Sequence, residues 1–435
     1  MGVQPIFALV DGNSFYASCE VAFAPQLMRR PVVVLSNNDG CIVAANQIAK
    51  DLAESTHMMF QPYFKVKRML DLHQAAVFSS NYELYGDMSN RMHSITRGFA
   101  LRQEIYSIDE SFLELTGLDE CYDLSDYGQQ IKARVFKYIG IPVAVGIAHT
   151  KTLAKLANHM AKQNPNFCGV LDLTRQDEAT LHQWLSHIPV GKVWGVGKRL
   201  SRSLIEEGIE TAWALRQSDP KGIRQRYNVV LERTVRELRG ESCLALEVMQ
   251  AKKKQILSSR SFGQPIEAYE LMQQAVATYV NRAVQKLRQQ GLVCHYITVF
   301  IRTNPFNEKV IQYHNSHCVP LICPSDNLIL LTKLAKRALA QIWKPNLSYH
   351  KAGVLLQELQ PKGSIQGDLF AQKAGYTNNP KQDSLMQVMD ELNQRYGSGS
   401  VVLGAQGGQH SSWSMKRNRM SNRYTSRWDE LLVVK

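Results

Sequence analysis

The sequence predicts an α+β protein built from several domains, and three features lead to that class. The chain has 435 residues, and a chain of this length is expected to form about two to four domains because single hydrophobic cores stop growing earlier. Apolar runs typical of strands alternate with helical segments over residues 1–170 and again over 250–359. The strand-like runs at 6–10 and 105–114 lie far apart in the chain, which favours a mixed or mostly antiparallel sheet.

The first alternating region contains the elements expected of one αβ layer. The sequence NNDG at 37–40 is a turn signal between two of them. Apolar runs predict strands at 6–10, 31–36, 104–115 and 141–150. Helices are predicted for the later part of 41–55, for 81–100, for the basic segment 130–140 and for 151–163.

A helical region with a glycine-containing turn follows residue 170. Gly195 and Gly197 stand just before Lys198, where a basic helix begins. A hairpin of this kind between two helices presents backbone N–H groups to a phosphate, and the helix N-terminus adds a positive dipole. The segment therefore predicts contact with a nucleic-acid backbone; the alternative is a glycine turn within a helical bundle.

The second alternating region begins after the basic link AKKKQ at 251–255 and resembles a small α+β module. Strands are predicted at 258–263, 294–303 and 351–359, and helices at 267–290 and 331–343. Beyond Pro361, Gly, Ser, Asn and Gln become frequent, which is typical of a tail with short ordered pieces.

The charge distribution points to a polyanionic partner. The formal net charge is +13, but residues 1–120 hold 9 Lys and Arg against 14 Asp and Glu, a net of −5, so the rest of the chain carries +18. An acidic beginning and a basic remainder suggest metal chemistry at one end and a grip on phosphates over the rest. The alternative is a basic surface that serves solubility alone.

Several features favour a cytoplasmic protein without a membrane partner. The chain has no apolar run of the roughly 18 residues that a transmembrane helix needs. Its first residues, MGVQPIFALVDG, lack the basic patch and long apolar stretch of a signal peptide. Its eight cysteines are scattered without a disulfide framework, which is typical of a reducing compartment.

An acidic pair inside an apolar strand is the strongest local signal of chemistry. Asp109 and Glu110 interrupt EIYSIDESF at 104–112, and Asp11 ends the strand that begins the chain. Clustered carboxylates repel one another unless a cation neutralises them, and hard oxygen ligands suit Mg²⁺ or Mn²⁺. Because neighbouring strand residues face opposite sides, Asp109 is expected to face the site with Asp11, and Glu110 only if the strand turns there. The alternative is that the pair consists of turn or surface acids.

The motifs around these acids resemble those of a known family. DGNSFYASCE at 11–20 with YSIDESF at 106–112, GIAHTKTLAKLANHMAK at 146–162 and the VWGVGKRL hairpin resemble Y-family DNA polymerases. VVVLSNNDGCIVAAN, FSSNYELYGDMSNRM, NVVLERTVRELRGE and SMKRNRMSNRYTSRWDELLVVK are similar to the UmuC-type catalytic subunit of bacterial DNA polymerase V, including plasmid-borne relatives, along essentially the whole chain.

This resemblance implies a right-hand polymerase and divides the chain into domains. The implied domains are a palm (1–22 and 86–170), fingers (23–85), a thumb with a helix-hairpin-helix (171–245), a little finger (250–359) and a C-terminal tail (360–435). The implied activity is translesion DNA synthesis in the SOS response, which is error-prone because small fingers enclose the new base pair poorly. No proofreading exonuclease segment is evident, so synthesis without proofreading is expected. The alternatives are a non-catalytic DNA-binding scaffold and a metal-dependent nuclease that uses the same acids.

The resemblance also assigns roles to residues of the active site. Asp11, Asp109, Glu110 and the Gly12 carbonyl would hold two Mg²⁺ ions, with Mn²⁺ as the alternative. The remaining matches would bind the incoming dNTP: Lys50 and Lys151 through its phosphates, Ser14 and Phe15 through backbone amides, and Tyr16 as the steric gate that excludes a 2′-hydroxyl. Each lysine has the alternative of a solvated helix residue, and Tyr16 that of a plain core aromatic.

Other positions in this region are less distinctive. Tyr82 and Tyr85 have helical spacing and either pack in the core, which is the preferred prediction, or line the template side. Ala44, Gln47 and Ile48 stand where many family members carry a Thr, a Tyr and an acid. Fewer hydroxyl contacts to phosphate are then expected, with the reaction class unchanged.

Primer-template DNA and protein partners are implied for the rest of the chain. DNA would contact Gly195, Gly197 and Lys198 of the hairpin and Arg260 of the second alternating region. The tail sequence QGDLF resembles the peptide that inserts into the sliding clamp, with Gln366 for polar contacts and Leu369 and Phe370 as apolar anchors. By resemblance, residues 385–435 would meet a processed UmuD-type homodimer and a RecA filament.

One segment could be mistaken for a metal site. The sequence YHNSHCVPLIC at 313–323 holds His314, His317, Cys318 and Cys323, which are residue types that bind zinc. The Cys spacing is loose and no second cluster supports it, so a strand-loop-strand in the DNA-gripping module is the preferred prediction.

Overall fold

The computed structural model describes residues 4–52, 58–248, 253–364, 380–397, 399–408 and 413–431. The chain divides into two compact units. Unit 1 comprises residues 1–36, 40–250 and 419–435, and unit 2 comprises 37–39 and 251–418. In the described part of the chain, no helix is both long and apolar enough to cross a membrane.

Unit 1 is organised around a five-stranded mixed sheet with the strand order β5-β6-β1-β7-β8. Neighbouring strands are antiparallel except β7 and β8, which are parallel. The strands of unit 1 are β1 (Phe7–Gly12), β2 (Val32–Leu35), β3 (Ile42–Ala45), β4 (Ala76–Ser79), β5 (Gln103–Ile105), β6 (Glu110–Glu114), β7 (Val143–Ala148) and β8 (Val170–Asp172). The prediction of a mixed sheet is confirmed.

Helices cover both faces of this sheet, and others continue the chain beyond it. The helices of unit 1 are α1 (Phe15–Phe23), α2 (Gln47–Asp51), α3 (Tyr63–Leu72), α4 (Tyr82–Arg97), α5 (Leu124–Ile139), α6 (Lys151–Gln163), α7 (Glu178–Leu185), α8 (Lys198–Glu206), α9 (Ala212–Gln217), α10 (Pro220–Arg226) and α11 (Val229–Leu238). Ala8 and Val10 of β1 pack in the core that contains α4 and α5 residues, whereas Phe7 and Leu9 pack in the core that contains α6 residues. This alternation is that of a strand buried on both faces.

Helix α6 lies unusually close to the sheet. A Cβ added to Gly146 of β7 would stand 2.2 Å from the Asn158 backbone nitrogen and 2.3 Å from the Ala154 carbonyl oxygen. Asn158 is buried and donates hydrogen bonds from Nδ2 to the carbonyls of Leu9 and Ala144, at 3.2 and 2.8 Å. Only glycine permits this approach, and it brings the α6 side chains over the ends of β1 and β6.

A smaller three-stranded sheet, β3-β2-β4, completes the strands of unit 1. Strand β2 pairs with β3 antiparallel and with β4 in parallel. Val33 and Leu35 of β2 pack with Ala49 of α2 and Leu70 of α3 in a separate core. The side chain of Asn46 accepts a hydrogen bond from the Ala49 N–H and thereby caps α2.

Unit 2 contains a four-stranded antiparallel sheet with the order β11-β10-β12-β9, and helices pack against it. Its elements are β9 (Gln255–Ile266), α12 (Tyr269–Gln289), β10 (Leu292–Thr303), β11 (His314–Ser325), α13 (Leu328–Ile342), β12 (Tyr349–Pro361) and α14 (Pro380–Tyr396). Helix α14 joins this core through Met386 and Met389, and an ion pair joins Asp390 to Arg288 at 2.6 Å. The segment expected to be a loose tail therefore contributes a packed helix to unit 2.

Two local predictions were wrong. The segment 104–115, expected as one strand, forms the hairpin of β5 and β6, because its central residues make turn hydrogen bonds: the N–H groups of Tyr106 and Ser107 both donate to the Glu110 carbonyl. The segment expected as strand-loop-strand forms the single strand β11, which pairs with β10 as far as Ser325.

Candidate active site

The end of β1 and the start of β6 bring two acids together. Asp11 and Glu110 are directly paired in the antiparallel register of β1 and β6. Directly opposed residues of an antiparallel pair lie on the same face, and the next inward pair on that face, Leu9 and Phe112, packs with α6. Asp11 and Glu110 therefore face α6. Glu110 was expected to reach the site with Asp11 only if the strand turned there, and the strand does turn before Glu110.

Asp109 lies in the turn that joins β5 to β6, beside the same acids. Its carbonyl accepts a hydrogen bond from the Gly12 N–H at 2.9 Å. Its Oδ1 accepts from the Ser107 hydroxyl at 2.6 Å, and Ser107 Oγ accepts from the Glu110 N–H at 3.1 Å. The turn thus holds all three acids at one end of the sheet.

Two lysines of α6 neutralise the pair that faces them. Lys155 Nζ donates to Glu110 Oε1 at 2.8 Å, and Lys162 Nζ lies 2.6 Å from Asp11 Oδ1. Sequence reasoning assigned neither lysine to the site. A signal existed, because residues 151, 155 and 162 are spaced four and seven apart and so share one helix face.

Burial and mutual repulsion shift the titration of Asp11. The pKa of Asp11 is raised to about 6, mainly by burial; Lys162 opposes this rise, and the charges of Glu110 and Asp109 add to it. A carboxylate that resists ionisation in this way gains most from a nearby cation. The site is consequently built to receive positive charge.

The donor set fits a hard divalent cation. Asp11, Asp109 and Glu110 offer only oxygen, the ligand type that Mg²⁺ prefers. The three acids turn toward Lys155, Lys162 and Ser107. With the side chains in these positions, the described part of the chain holds no group of three or more His, Cys, Asp or Glu that could hold a metal ion. Lysine ammonium groups supply the positive charge in this arrangement. The four residues of the zinc alternative, which lie along strand β11, likewise form no group of three or more ligands among the described residues.

A tight turn joins β1 to α1 next to these acids. Ser14 has φ 47° and ψ 44°, a left-handed conformation that non-glycine residues adopt mainly where function or packing requires it. A Cβ on Gly12 would meet Phe15 Cδ2 at 2.9 Å, so the turn also needs a small residue before it. Lys50 Nζ donates to Ser14 Oγ at 3.0 Å. Burial lowers the pKa of Lys50 and the charge of Lys162 lowers it further, whereas the charges of Asp51 and Asp11 raise it, so Lys50 interacts electrostatically with Asp11.

Lys151, the other predicted phosphate ligand, is engaged elsewhere. Its ammonium group lies 2.5 Å from Glu104 Oε2 and donates to the Ala245 carbonyl at 3.0 Å. Its side chain is only 4% exposed. Glu104 Oε2 also accepts from the Glu247 N–H at 2.7 Å, so this buried pair ties the segment after α11 to the sheet. The structure does not bring Lys151 to the three acids.

Tyr16 lies in a cluster of three aromatic rings. Its ring stacks on Tyr85 with centroids 4.7 Å apart and an interplanar angle of 16°, and it meets Tyr82 edge-on at 5.9 Å. Tyr85 is fully buried, as predicted for a core residue, whereas Tyr82 is 42% exposed, so its assignment to the core was wrong. Tyr16 itself is half-buried and follows directly after the turn at Ser14.

The glycine turn before α8, predicted to bind phosphate, lies in unit 1. Gly195 has φ +88°, which L side chains rarely adopt, and Gly197 caps the N-terminus of α8, whose first residue is Lys198. Trp194, just before this turn, donates from Nε1 to the Tyr106 hydroxyl at 3.1 Å. The hairpin therefore joins the same unit as the acidic cluster.

Unit 2 carries a group of cations on its sheet. Arg260 is exposed on β9 and pairs in register with Ala352 of β12. Burial lowers the pKa of Lys351, and the charges of Arg302 and Arg260 lower it further. Several cations gathered on one sheet suit a polyanion. Gln366, Leu369 and Phe370, predicted to bind a clamp, lie outside the described residues.

Family models match this chain in three parts. Residues 10–159 match the impB/mucB/samB family, and residues 253–369 match the C-terminal domain of that family. Residues 383–434 match a domain of unknown function. The first part contains the acidic cluster, and the second contains all four strands of the unit 2 sheet.

Curated proteins of similar sequence match over most or nearly all of the chain. Protein UmuC of Salmonella typhimurium (strain LT2) is 46% identical over 99% of this chain and 100% of its own length. Protein ImpB of Salmonella typhimurium is 43% identical with the same two coverages. DNA polymerase IV of Bacillus anthracis is 25% identical over 91% of this chain and 92% of its own length.

Solved structures share the fold. A Y-family DNA polymerase chimera of Dbh and Dpo4 has a TM-score of 0.63 at 20% identity, covering 82% of this chain and 99% of that one. The insertion ternary complex of Dbh DNA polymerase has a TM-score of 0.52 at the same identity and coverages. The right-hand Y-family polymerase fold predicted from the sequence is confirmed.

Proposed function

The chain belongs to the impB/mucB/samB family, which includes UmuC, and we propose that it is the catalytic subunit of an error-prone translesion DNA polymerase of the SOS response. It extends a primer 3′-hydroxyl with dNTPs, past damaged bases and without proofreading. The observation that carries this function is the opposed pair Asp11 and Glu110, with Asp109 beside it and the cations Lys50 and Lys162 at its rim.

The chain's own groups are suited to hold a triphosphate. Lys50 and Lys162 carry positive charge beside Asp11, where the phosphates of a bound dNTP would replace the present lysine partners. The turn at Ser14 and Phe15 opens α1, so its backbone N–H groups and the helix dipole favour the same anion. We include Lys162 in the phosphate site and propose Lys151 as a structural residue instead.

The acids are suited to hold the metal ions of nucleotidyl transfer. We assign Asp11, Asp109, Glu110 and the Gly12 carbonyl to two Mg²⁺ ions, or Mn²⁺ in their place, which when bound lower the pKa of the primer hydroxyl and stabilise charge on the phosphates. The raised pKa of Asp11 supports this assignment, because burial and the neighbouring acids disfavour its charge until a cation is present.

Tyr16 is assigned to sugar selection. Tyr16 is the second residue of α1, and its half-buried ring is held on one side by Tyr85. A ring in this place leaves no room for a 2′-hydroxyl, so the enzyme would prefer dNTPs to rNTPs. The DNA backbone would contact the hairpin amides around Gly195 and Gly197, Lys198, and Arg260 of unit 2.

The domain division and partners follow the same proposal. Residues 1–22 and 86–170 form the palm, 23–85 the fingers, 171–245 the thumb and 250–359 the little finger, and 360–435 follow as the tail. The partners are primer-template DNA in the cytoplasm, a sliding clamp that binds Gln366, Leu369 and Phe370, a processed UmuD-type homodimer and a RecA filament.

Primer extension opposite an abasic site tests this function. Wild type is compared with Asp109→Ala and with Asp119→Ala, a control that removes an exposed acid after β6. The reaction contains Mg²⁺, dNTPs, the clamp, the processed UmuD-type protein and a RecA filament. We expect extension past the lesion by wild type and Asp119→Ala, and none by Asp109→Ala.

Three other outcomes would contradict the proposal. If wild type and both variants bind DNA but none of them extends the primer, a scaffold would be favoured. Shortening of the labelled strand without extension would favour a nuclease. Equal extension by wild type and Asp109→Ala would show that these carboxylates are not the catalytic ones.

A further inference from the structure

Within the last described stretch of the chain, residues 419–431 belong to unit 1, and we name this segment the C-terminal strap. The Ser79 N–H donates to the Arg419 carbonyl, and the Arg419 N–H donates to Ser79 Oγ, both at 3.0 Å. Asn81 Nδ2 donates to the carbonyl and to the hydroxyl oxygen of Ser421, both at 3.1 Å. The strap is therefore fixed by specific polar contacts immediately before α4 begins.

Ring and charge contacts hold the strap further along. Tyr424 stacks on Phe23 at the end of α1, with centroids 4.8 Å apart and an angle of 13°. Arg423 lies 3.6 Å from Glu83 on α4 and also pairs with Glu430 of the strap. The strap consequently bridges α1 and α4, the two helices that carry the aromatic cluster of the candidate active site.

Between these helices lies a carboxyl group that the proposed reaction does not use. Glu20 of α1 is 2% exposed, and its Oε1 accepts hydrogen bonds from the Tyr85 hydroxyl at 2.6 Å and from the Ser421 hydroxyl at 3.0 Å. A buried acid is costly unless such donors satisfy it. The strap supplies one of the two.

This network reaches Tyr16 directly. Tyr16 and Glu20 are four residues apart on α1 and share its face. Tyr85 is bonded to Glu20 through its hydroxyl and stacked against the Tyr16 ring at 4.7 Å. The position of the Tyr16 ring therefore depends on Tyr85, which depends on the Glu20 carboxyl group, which in turn is held by Ser421.

We propose that the C-terminal strap positions the sugar-selecting ring of Tyr16 through Ser421, Glu20 and Tyr85, so that residues from the far end of the chain set the discrimination between dNTP and rNTP. This inference rests on the proposed function, in particular on Tyr16 as the steric gate. Ser421, Glu20 and Tyr85 are positioning residues, since none of them is placed against the nucleotide.

The measurable consequence is a change in the ratio of kcat/KM for dNTP to kcat/KM for rNTP. Loss of a supporting hydroxyl lets the Tyr85 ring, and with it Tyr16, occupy more than one position, and a displacement near 1 Å is enough to cost about 100-fold where geometry is critical. Residues that orient metal ligands from the outer shell typically contribute about 10- to 100-fold, and we take the lower end for residues that orient a ring. We expect Ser421→Ala and Tyr85→Phe each to lower the ratio of kcat/KM for dNTP to that for rNTP by roughly 10-fold.

The experiment measures that ratio for the full-length chain in the primer-extension reaction on an undamaged template. The variants are Tyr16→Ala, Ser421→Ala, Tyr85→Phe and two controls. Ser426→Ala removes an exposed hydroxyl from the same strap, and Ser421→Thr keeps the hydroxyl that contacts Glu20. A merely structural loss lowers the active fraction for both nucleotides equally and cancels in the ratio.

A double-mutant cycle makes the assignment specific. If Ser421 acts through the Tyr16 ring, Ser421→Ala has no further effect on the ratio in a Tyr16→Ala background. In the chain that keeps Tyr16, we expect Ser426→Ala and Ser421→Thr to leave the dNTP-to-rNTP ratio at its wild-type value.

The outcomes separate this inference from the function on which it rests. No extension by wild type overturns both, and an unchanged ratio in Tyr16→Ala overturns the gate and the inference with it. If Tyr16→Ala lowers the ratio but Ser421→Ala and Tyr85→Phe leave it unchanged, or if the effects add in the cycle, the proposed function stands and the inference is overturned.

Discussion

Lys162 Nζ lies 2.6 Å from Asp11 Oδ1, whereas Lys151 Nζ, at the start of the same helix, lies 2.5 Å from Glu104 Oε2. The two lysines differ most in exposure, which is 29% for the Lys162 side chain and 4% for that of Lys151. A partly exposed ammonium group is able to exchange its carboxylate partner for a phosphate. A buried pair is not, because separating it leaves a charge without a partner.

Substituting these lysines is expected to give different phenotypes: weaker dNTP binding for Lys162 and lower stability for Lys151. Lys162→Met should raise KM for dNTP by roughly tenfold or more, since a hydrogen bond to a charged group contributes about 1.5–3 kcal/mol. Lys151→Met should lower the free energy of unfolding by about 3–5 kcal/mol because Glu104 stays buried without its partner. Steady-state kinetics and thermal unfolding distinguish them, with exposed Lys137→Met as the control for lost charge. A selective rise of KM in Lys151→Met would restore its predicted role at the phosphates.

The buried Glu20 predicts a pH dependence of stability. Burial raises the pKa of Glu20 from 4.5 to about 7, and the groups that face it, Tyr85, Ser421 and Tyr424, carry no positive charge. The neutral acid stabilises the fold below pH 4.5, and this contribution is lost as the pH rises through 7.

Glu20→Gln should therefore unfold like wild type near pH 4 and be more stable than wild type at pH 8, by up to about 3 kcal/mol. Thermal unfolding at a series of pH values measures the difference, and Glu120→Gln, at an exposed position, serves as the control. A difference that does not change with pH would mean that Glu20 titrates normally.

At the scale of elements, the hairpin before α8 depends on two glycines for different reasons. Gly195 has φ +88°, a region in which an L side chain is strained. Gly197 has φ −78°, and a Cβ there would meet no atom within 4 Å. The first glycine is required by the backbone, and the second leaves open space at the helix N-terminus where a phosphate could approach.

Gly195→Ala is expected to lower the free energy of unfolding by about 1–2 kcal/mol, and Gly197→Ala to leave it nearly unchanged. Gly197→Ala should nevertheless weaken DNA binding, because its methyl group occupies the space at the N-terminus of α8. Thermal unfolding of both variants tests the expected stabilities, and DNA titration of both tests the expected loss of affinity. Normal DNA affinity in Gly197→Ala would exclude close contact between this turn and the backbone.

At the scale of the whole molecule, the net charge of +13 predicts DNA binding that weakens steeply with salt. Arg260→Gln should lower the slope of log K against log salt by about 1, equally for unrelated DNA sequences, because a phosphate contact releases one counterion and carries no base information. Fluorescence titrations over a series of salt concentrations measure it. An unchanged slope would remove Arg260 from the DNA contacts.

The sequence by itself determined the fold class, most of the elements and the positions of the three acids that the structure brings together, because apolar periodicity and turn residues act over a few positions along the chain. Only the tertiary structure decided which acid faces α6 with Asp11 and which lysines meet the acids. Those pairings depend on the hairpin before Glu110, the register of β1 with β6 and the close approach of α6 at Gly146. The contact of Ser421 with Glu20 likewise joins opposite ends of the chain, and no local pattern carries information over such a separation.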